Sequence, residues 1–523
     1  MAQLPARPAT DPEGVLVDAA TAAGDDAPFV ERYLRHVDAT ALRGRSAEDL
    51  VAMATRHREV AATRAPGQTV VDAADGVLHV VTADRPFLVD SILGELGSAG
   101  IGVSLLLHPL FVVRRDAQGE LVEVLDTDPR TPHTDPDLHD ESWIRIELAD
   151  RCDMALVQDR IAEVVDAVAA AVDDWESMRA TVTELVQALD EGRGAGSRES
   201  QTAAAEFLRW LVDDHFTFIG SRDHTVDGDA VTAVPGSGLG VLRDDSTAEA
   251  ITPLGGTGDE GECLAIGKSH AVLPVHRVTH PDLVAVRFHD AQGRLVERRL
   301  AGLFASTAYT SSVLTIPLIA DKVQQILSDS GWARDSHSGA FAMRLFETFP
   351  RDELFQAPVD HLRQVVTSIL QMVHRIRTAT FLRLDTGGQF VSAIIYLPRD
   401  RYTTAVRQRV ETELREATGA DEVSFTAHVS DEPMARLYYI LRGSQGVELP
   451  TGEAQERLEA AVADAITTAL AFPRGDRVAA TNALGGAVAA ARSGDTGAMT
   501  DLIAQAEDLR QTDGQFVNSC SDA

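Results

Sequence analysis

Five stretches of the sequence hold residue types at spacings that could do chemistry. The first, "TADRPFLVDSI", sets Asp84, Arg85, Pro86 and Phe87 between a β-branched run and a helical stripe. It reads in three ways: an active-site loop, a ligand-sensing loop, or a capped helix start in which Asp84 caps and Pro86 suits the first turn. The second, Gly256-Thr-Gly258-Asp-Glu-Gly261, has the G-x-G-x-x-G spelling of a dinucleotide loop. No strand feeds it, no helix opens on it, and Asp259 and Glu260 would face a pyrophosphate, so no cofactor is assigned to it. A related glycine run, "PGSGLGVL" (235–242), reads as a turn before a short strand. Third, His133, Asp135, Asp137, His139 and Asp140 offer donor types for a divalent ion. Pro132 and Pro136 fit a polar surface loop instead, and no metal is assigned. Fourth, the hydroxyl-rich "STAYTSS" (306–312) reads as successive helix caps, with an anion at the helix start as the other reading. Fifth, Cys263 sits in apolar "GECLAIG", which suits an inert buried thiol. Asp90, His108 and Arg114 gain no partner from the sequence. No catalytic or cofactor-binding residue is assigned.

Periodicity supplies the elements around these residues. Phe29, Tyr33 and Val37, then Leu50 and Met53, recur at helical spacing, with Ser46 and Asp49 forming a capping box for the second helix. "GVLHVVTAD" is a strand. Leu88, Ile92 and Leu96 stripe the helix that follows, and Gly97 or Gly100 ends it. "VSLLLHPLFVVRR" is a strand interrupted at Pro109, "DAQG" turns it into a hairpin, "SWIRIEL" adds a strand, and one long helix is expected over 155–189. The pattern predicts an open sheet with helices on one face. Farther on, "PDLVAVRFHDAQGRLVERRLAGLFA" is a second hairpin, and residues 376–443 read β-β-α-β-β.

The expected fold class is α+β, with several small antiparallel or mixed sheets carrying packed helices and joined by helical segments. The expected domains are a loose arm at 1–28, a sheet unit with flanking helices at 29–190, a linker at 191–200 ("EGRGAGSRES"), an α+β unit at 201–310, a helical connector at 311–375, a sheet unit at 376–443 and an Ala-rich helical tail at 444–523.

The formal net charge of −33 argues against a nucleic-acid partner, because phosphate backbones need clustered Lys and Arg. No run of eighteen apolar residues exists, so no membrane partner is expected. The N-terminus lacks a basic start with an apolar stretch behind it, and Cys152, Cys263 and Cys520 lie far apart. The expected location is cytoplasmic.

Several ordered segments carry a family resemblance. "RPFLVDSILGELGSAGIGVSLLLHPLFVVRRD", "EFLRWLVDDHFTFIGSRDH", "VHRVTHPDLVAVRFHDAQGRLVERRLAGLFASTAYT", "IPLIADKVQQIL" and "DSHSGAFAMRLFETFPRDELFQ" resemble the N-terminal half of the large bacterial NAD-specific glutamate dehydrogenases, over residues 29 to about 465. The resemblance implies ACT-like units at 29–190 and 376–443, a PAS-like unit at 201–310, and a regulatory, oligomer-building role. It implies a homo-oligomer or the catalytic half of glutamate dehydrogenase as partner, and an amino acid as possible effector. It implies no cofactor in this chain, with NAD serving the full-length family enzyme. Beyond "AQERLEAAVADA" the tail departs from the family. A free-standing amino-acid sensor or interaction scaffold derived from that region is the alternative. The amino-acid-binding ACT turn is Asp-Arg-Pro-Gly. Here Asp84-Arg85-Pro86 matches it and Phe87 replaces the glycine. The possible effector or interface turn is therefore Asp84, Arg85, Pro86, Phe87 and Leu88, with Gly100, and the interface role is the preferred reading.

Overall fold

The computed structural model describes residues 12–468 apart from 130, 229, 244–246, 248–261, 373–376 and 445. They divide into two compact units. The first is drawn from Met1–Ala195, Leu211–Thr252 and Lys268–Ala305, the second from Gly196–Trp210, Pro253–Gly267 and Ser306–Ala523. The architecture is α+β, with small antiparallel sheets and packed helices.

The first unit opens with α1 (Pro12–Ala23), α2 (Ala27–Tyr33) and α3 (Ala47–Val60). α1 lies inside the expected loose arm, yet Val15 and Ala19 are buried, so this part of the arm is a docked helix. α3 starts on the expected capping box. Asp49 N donates to Ser46 Oγ at 3.2 Å and Ser46 N donates to Asp49 Oδ2 at 2.9 Å. The sheet follows as β1 (Val70–Ala74), β2 (Val77–Ala83), α4 (Leu88–Ser98), β3 (Val103–Leu107), β4 (Leu110–Arg115), β5 (Leu121–Leu125), β6 (Leu138–Leu148) and α5 (Met154–Asp173). Its order is β1-β2-β6-β4-β5, with β3 also on β6. β3 and β4, split at Pro109, both pair with β6.

Side chains alternate across a strand, so one sheet makes two interfaces. Val81, Leu105, Phe111 and Trp143 share a core with residues of α1–α3. Leu78, Val80, Ile144 and Ile146 are also buried, at the alternate positions of β2 and β6, as are Ile92 of α4 and Val165 of α5. Helices thus cover both faces, not the one face that the pattern predicts.

Two of the polar networks buried within this unit involve residues of the first sheet. Glu141, fully buried, accepts from Arg64 Nε (2.9 Å), Arg115 Nε (2.7 Å) and Trp143 Nε1 (2.9 Å). Burial alone would raise its carboxyl pKa, but the bonds and charges of Arg115 and Arg64 hold it below the usual carboxylate range. In the second network Tyr33 Oη meets His57 Nδ1 at 2.9 Å, and Arg145 Nη1 meets His79 Nε2 at 2.8 Å. Burial, then the Arg145 charge, pushes His79 down to about 4.

The long helix expected over 155–189 breaks at Asp174, and α6 (Trp175–Asp190) is a separate helix. The Asp174 carboxylate accepts from Gly240 N at 2.7 Å and Arg243 Nε at 2.6 Å. After α7 (Arg198–Trp210) come β7 (Phe216–Asp227), β8 (Ala230–Ala233), β9 (Leu239–Gly240), β10 (Leu264–Lys268), β11 (Asp282–His289) and β12 (Leu295–Phe304). Strands β11-β12-β7-β8 pair in that order and β9 pairs with β7. The stretch read as a linker is partly held in place. His289 N donates to Arg193 O at 2.7 Å and Ala195 N to Arg287 O at 2.9 Å.

The second unit continues with α8 (Ser306–Thr310), α9 (Ile319–Asp329), α10 (His337–Thr348), α11 (Arg351–Gln356) and α12 (Val359–Met372). Lys322 of α9 is half-buried. Its ammonium donates to Leu354 O, Phe355 O and Ala357 O at 3.1, 2.8 and 2.9 Å, capping the last carbonyls of α11. The expected β-β-α-β-β pattern then appears as β13 (Ala379–Leu384), β14 (Phe390–Pro398), α13 (Thr404–Thr418), β15 (Glu422–His428) and β16 (Met434–Arg442), followed by α14 (Glu453–Thr468). The order is β13-β14-β16-β15, all antiparallel. Val406, Val410 and Leu414 of α13 and Leu458, Val462 and Ile466 of α14 share its core. Glu353 of α11 joins the helical segment to this sheet, accepting from Arg383 Nε (2.9 Å), Arg383 Nη2 (2.7 Å) and Tyr438 Oη (3.2 Å).

Candidate functional site

The turn between β2 and α4 is held by residues distant in the chain. Asp84 does not cap the helix. Its backbone N–H reaches Asp140 O at 2.9 Å, and its Oδ1 accepts from Ser142 Oγ at 2.6 Å. Arg85 spans to the end of α5, donating Nε and Nη2 to the two carboxylate oxygens of Asp173, each at 2.9 Å. Pro86 is exposed, Phe87 half-buried and Leu88 buried. Phe87 itself holds the N-cap position with φ 71°, a left-handed conformation, and makes no side-chain cap. That conformation costs a non-glycine residue about 1–2 kcal/mol.

A second strained residue lies against it. His276 has φ 65°, and its ring lies against Phe87, tilted by 35° with centroids 4.7 Å apart. His276 N donates to Ser91 Oγ on α4 at 2.8 Å, and the Val278 side chain lies so close to Gly94 that an added Cβ would be 3.1 Å from it. The chain at 276–278 therefore covers the first turns of α4. Gly100, grouped with the turn in the sequence, ends α4 at φ 70°, where Ile101 N reaches back to Leu96 O. It lies roughly 18 Å along the helix from Leu88, so it is not part of the same site.

Asp84, Ser142 and His108 come together, with His108 Nε2 3.0 Å from Ser142 Oγ. These are the residue types of a hydrolase triad in the wrong order. The hydroxyl lies between the carboxylate and the imidazole, and Ser142 is fully buried, so it cannot meet a substrate. The His133–Asp140 stretch is a salt-bridged loop. Arg114 Nη1 holds Asp135 at 2.9 Å and His133 Nε2 lies 3.2 Å from Asp140. Among the described residues no group of three or more His, Cys, Asp or Glu could hold a metal ion. In the hydroxyl-rich stretch, Ser312 caps the turn that follows it and donates to Glu347 Oε1 at 2.6 Å. Cys263 is buried, and burial pushes its thiol up.

The glycine run at 235–242 does not fit a dinucleotide. A Cβ at Gly238 would be 2.2 Å from Leu242 O, and one at Gly240 would be 2.2 Å from Ile219 O. These glycines permit close approach of the chain to itself, and the Gly240 N–H is already taken by Asp174. The Gly256–Gly261 run lies outside the described residues. The second unit has its own recess of about 280 Å³, lined by Tyr309, Phe349, Thr426, His428, Arg436 and Tyr438. The sequence offers no signal for it, nor for Ser91, Asp173 or His276, because each gains its neighbour only through folding.

The first and last of the three sheets, each with helices packed on it, are consistent with ACT-like domains. The glutamate dehydrogenase ACT1 domain matches residues 29–165, helical motif 1 of the same enzyme matches 316–375, and its ACT2 domain matches 379–468. Similarity extends to NAD-specific glutamate dehydrogenases. The one from Halomonas elongata is 32% identical over 399 residues, covering 73% of this chain and 24% of the relative. That from Pseudomonas aeruginosa is 34% identical over 70% of this chain and 23% of the relative, and that from Mycobacterium tuberculosis 29% identical over 88% and 28%. The chain spans about a quarter of the length of the relatives it matches. It is homologous to NAD-specific glutamate dehydrogenases through ACT domains and a helical motif of their type. Among the described residues no helix is long and apolar enough to cross a membrane.

Proposed function

We propose that this chain is the regulatory and oligomerisation region of a large NAD-dependent glutamate dehydrogenase. The whole enzyme converts L-glutamate, NAD and water to 2-oxoglutarate, ammonium and NADH, and this region performs no hydride transfer. The observation that carries the reading is the ordered series of ACT1, helical motif 1 and ACT2 along one chain. Its partners are further copies of the chain or the catalytic half of the enzyme, and NAD binds outside this region. Buried ion pairs within each unit, such as Glu141 with Arg64 and Glu353 with Arg383, suit units that move as bodies. An effector would act by favouring one arrangement, with a coupling of about 1–3 kcal/mol, or roughly 5- to 150-fold in affinity.

Two measurements test this. The purified chain, given glutamate and NAD, should form no NADH, and steady turnover would refute the non-catalytic assignment. A thermal-shift screen with amino acids at millimolar concentration should give at least one ligand that raises the melting temperature, since binding to the native state alone must stabilise it. Failure of every amino acid counts against effector sensing.

A further inference from the structure

The last sheet has a second face, opposite the one that packs on α13 and α14. Ala435, Leu437 and Tyr439 of β16 belong to the core shared with those helices, so Arg436 and Tyr438 point the other way. On β15, Thr426 pairs with Tyr438 and His428 with Arg436, which brings four side chains together on that second face. The turn from α10 into α11 lies over them, and a recess of about 280 Å³ is left between turn and sheet.

Arg436 carries a charge that this setting does not balance. It is 7% exposed. Its Nη2 donates to Thr348 O, its Nε meets no acceptor, and its guanidinium lies over the Phe349 ring at 5.7 Å. Among the described residues no carboxylate forms an ion pair with it. Arg64, Arg115 and Arg383, buried to a similar degree, each bind a carboxylate. A buried cation without a counter-charge leaves its desolvation uncompensated. His428, half-buried beside it, is a second group that can turn positive. Burial, then the Arg436 charge, pushes its pKa below the ordinary range, while Glu432 pulls it back.

The rest of the wall narrows the class of anion. Glu347 and Asp352 line the same recess. Glu347 accepts from Ser312 Oγ at 2.6 Å and Val313 N at 3.2 Å, and Asp352 accepts from Tyr309 Oη at 3.3 Å. These two carboxylates repel any second negative charge on a ligand. Phe349 and Pro350 give an apolar surface for a short carbon chain. We propose that the recess is a binding site for a small organic monocarboxylate, with its carboxylate on Arg436 and His428 and its carbon chain against Phe349 and Pro350. The site goes beyond the regulatory reading and does not depend on it: the amino-acid screen can fail while this recess still binds its anion.

The test uses the full chain with histidine labelled for NMR and ionic strength held by sodium chloride. Propionate is the probe, with succinate and inorganic phosphate as comparisons, and His428→Gln assigns the His428 signal. Propionate should move that signal saturably, with a dissociation constant on the order of millimolar for a ligand of about five non-hydrogen atoms. It should also raise the titration midpoint of His428, because a carboxylate beside an imidazole favours the charged form. Arg436→Gln should weaken binding roughly tenfold or more, and Arg436→Lys, which keeps the charge but loses the fork, should fall between. Succinate and phosphate should bind more weakly than propionate. No saturable change at His428, or a midpoint that stays fixed under saturating propionate, overturns the site, and both are read on the unaltered chain should the variants misfold. Unchanged affinity in a folded R436Q protein overturns it as well. Succinate or phosphate binding as tightly as propionate overturns the monocarboxylate assignment.

Discussion

Phe87 offers a test in which two opposed effects can be separated. Its backbone is left-handed at φ 71°, and its ring lies on His276 at 4.7 Å. Phe87→Ala removes the ring but keeps a Cβ in the strained conformation. Phe87→Gly removes both. The ring contact is worth about 0.5–1.5 kcal/mol, and burying half of a phenylalanine adds roughly 1 kcal/mol, so F87A should destabilise the first unit by about 2 kcal/mol. Glycine at a left-handed position recovers about 1 kcal/mol relative to alanine. F87G should therefore fall between wild type and F87A. Urea unfolding followed by tryptophan fluorescence gives the order, and at a slope near 2 kcal/mol per M the F87A midpoint should drop by about 1 M. An F87G protein no more stable than F87A would refute the strain at Phe87. Repeating the amino-acid screen on F87G completes the experiment. A new or larger thermal shift indicates a turn that binds ligands once the ring is gone, and stability loss alone indicates packing.

Three further outcomes follow from the buried networks. Glu141→Gln leaves the buried Arg64 and Arg115 without a carboxylate and should cost about 3 kcal/mol in the first unit, read as accelerated amide exchange in β6; a change below 0.5 kcal/mol would show that the network does not pin the end of α3. Gly119→Ala, at φ 83° with the new Cβ 2.4 Å from Arg64 O, should lower the melting temperature by several degrees, and an unchanged melting curve would contradict the close approach. His79, ordinarily near 6.5 and held at about 4 when folded, stays neutral in the fold while the unfolded chain takes up a proton. Its stabilisation is therefore complete above pH 6.5 and lost as pH falls from 6.5 toward 4, so His79→Gln should flatten the pH dependence of stability in that window, and an unaltered slope would place the dependence elsewhere.

Local signals were legible in the sequence where the physics is local. The Ser46–Asp49 capping box, the hairpin turn at Asp290–Gly293 and the β-β-α-β-β order of the second ACT domain each depend on neighbours a few residues away. What escaped is non-local. β1 is the weakly patterned "VVDAA", made a strand by pairing with β2. The break at Asp174 has no glycine or proline to announce it, and its carboxylate is bound by residues more than sixty positions away. Asp84 has the composition of a cap, yet Ser142 and the backbone of Asp140 engage it instead. Nothing in "DRPF" reveals that Phe87 turns left-handed, because the segment at His276 that lies on it is nearly two hundred residues farther along the chain.

That same segment bears on how any small molecule would reach the start of α4. With His276 bonded to Ser91 and Val278 against Gly94, the approach is occupied by a stretch of the protein's own chain. A tethered occupant competes at an effective concentration on the order of millimolar. A diffusing ligand must therefore be abundant, or hold the opened form strongly, before it displaces the resident segment. Such a turn would respond to a plentiful metabolite and ignore a scarce one, and its threshold could be tuned through the length and stiffness of the chain around His276 without altering a single atom of the turn.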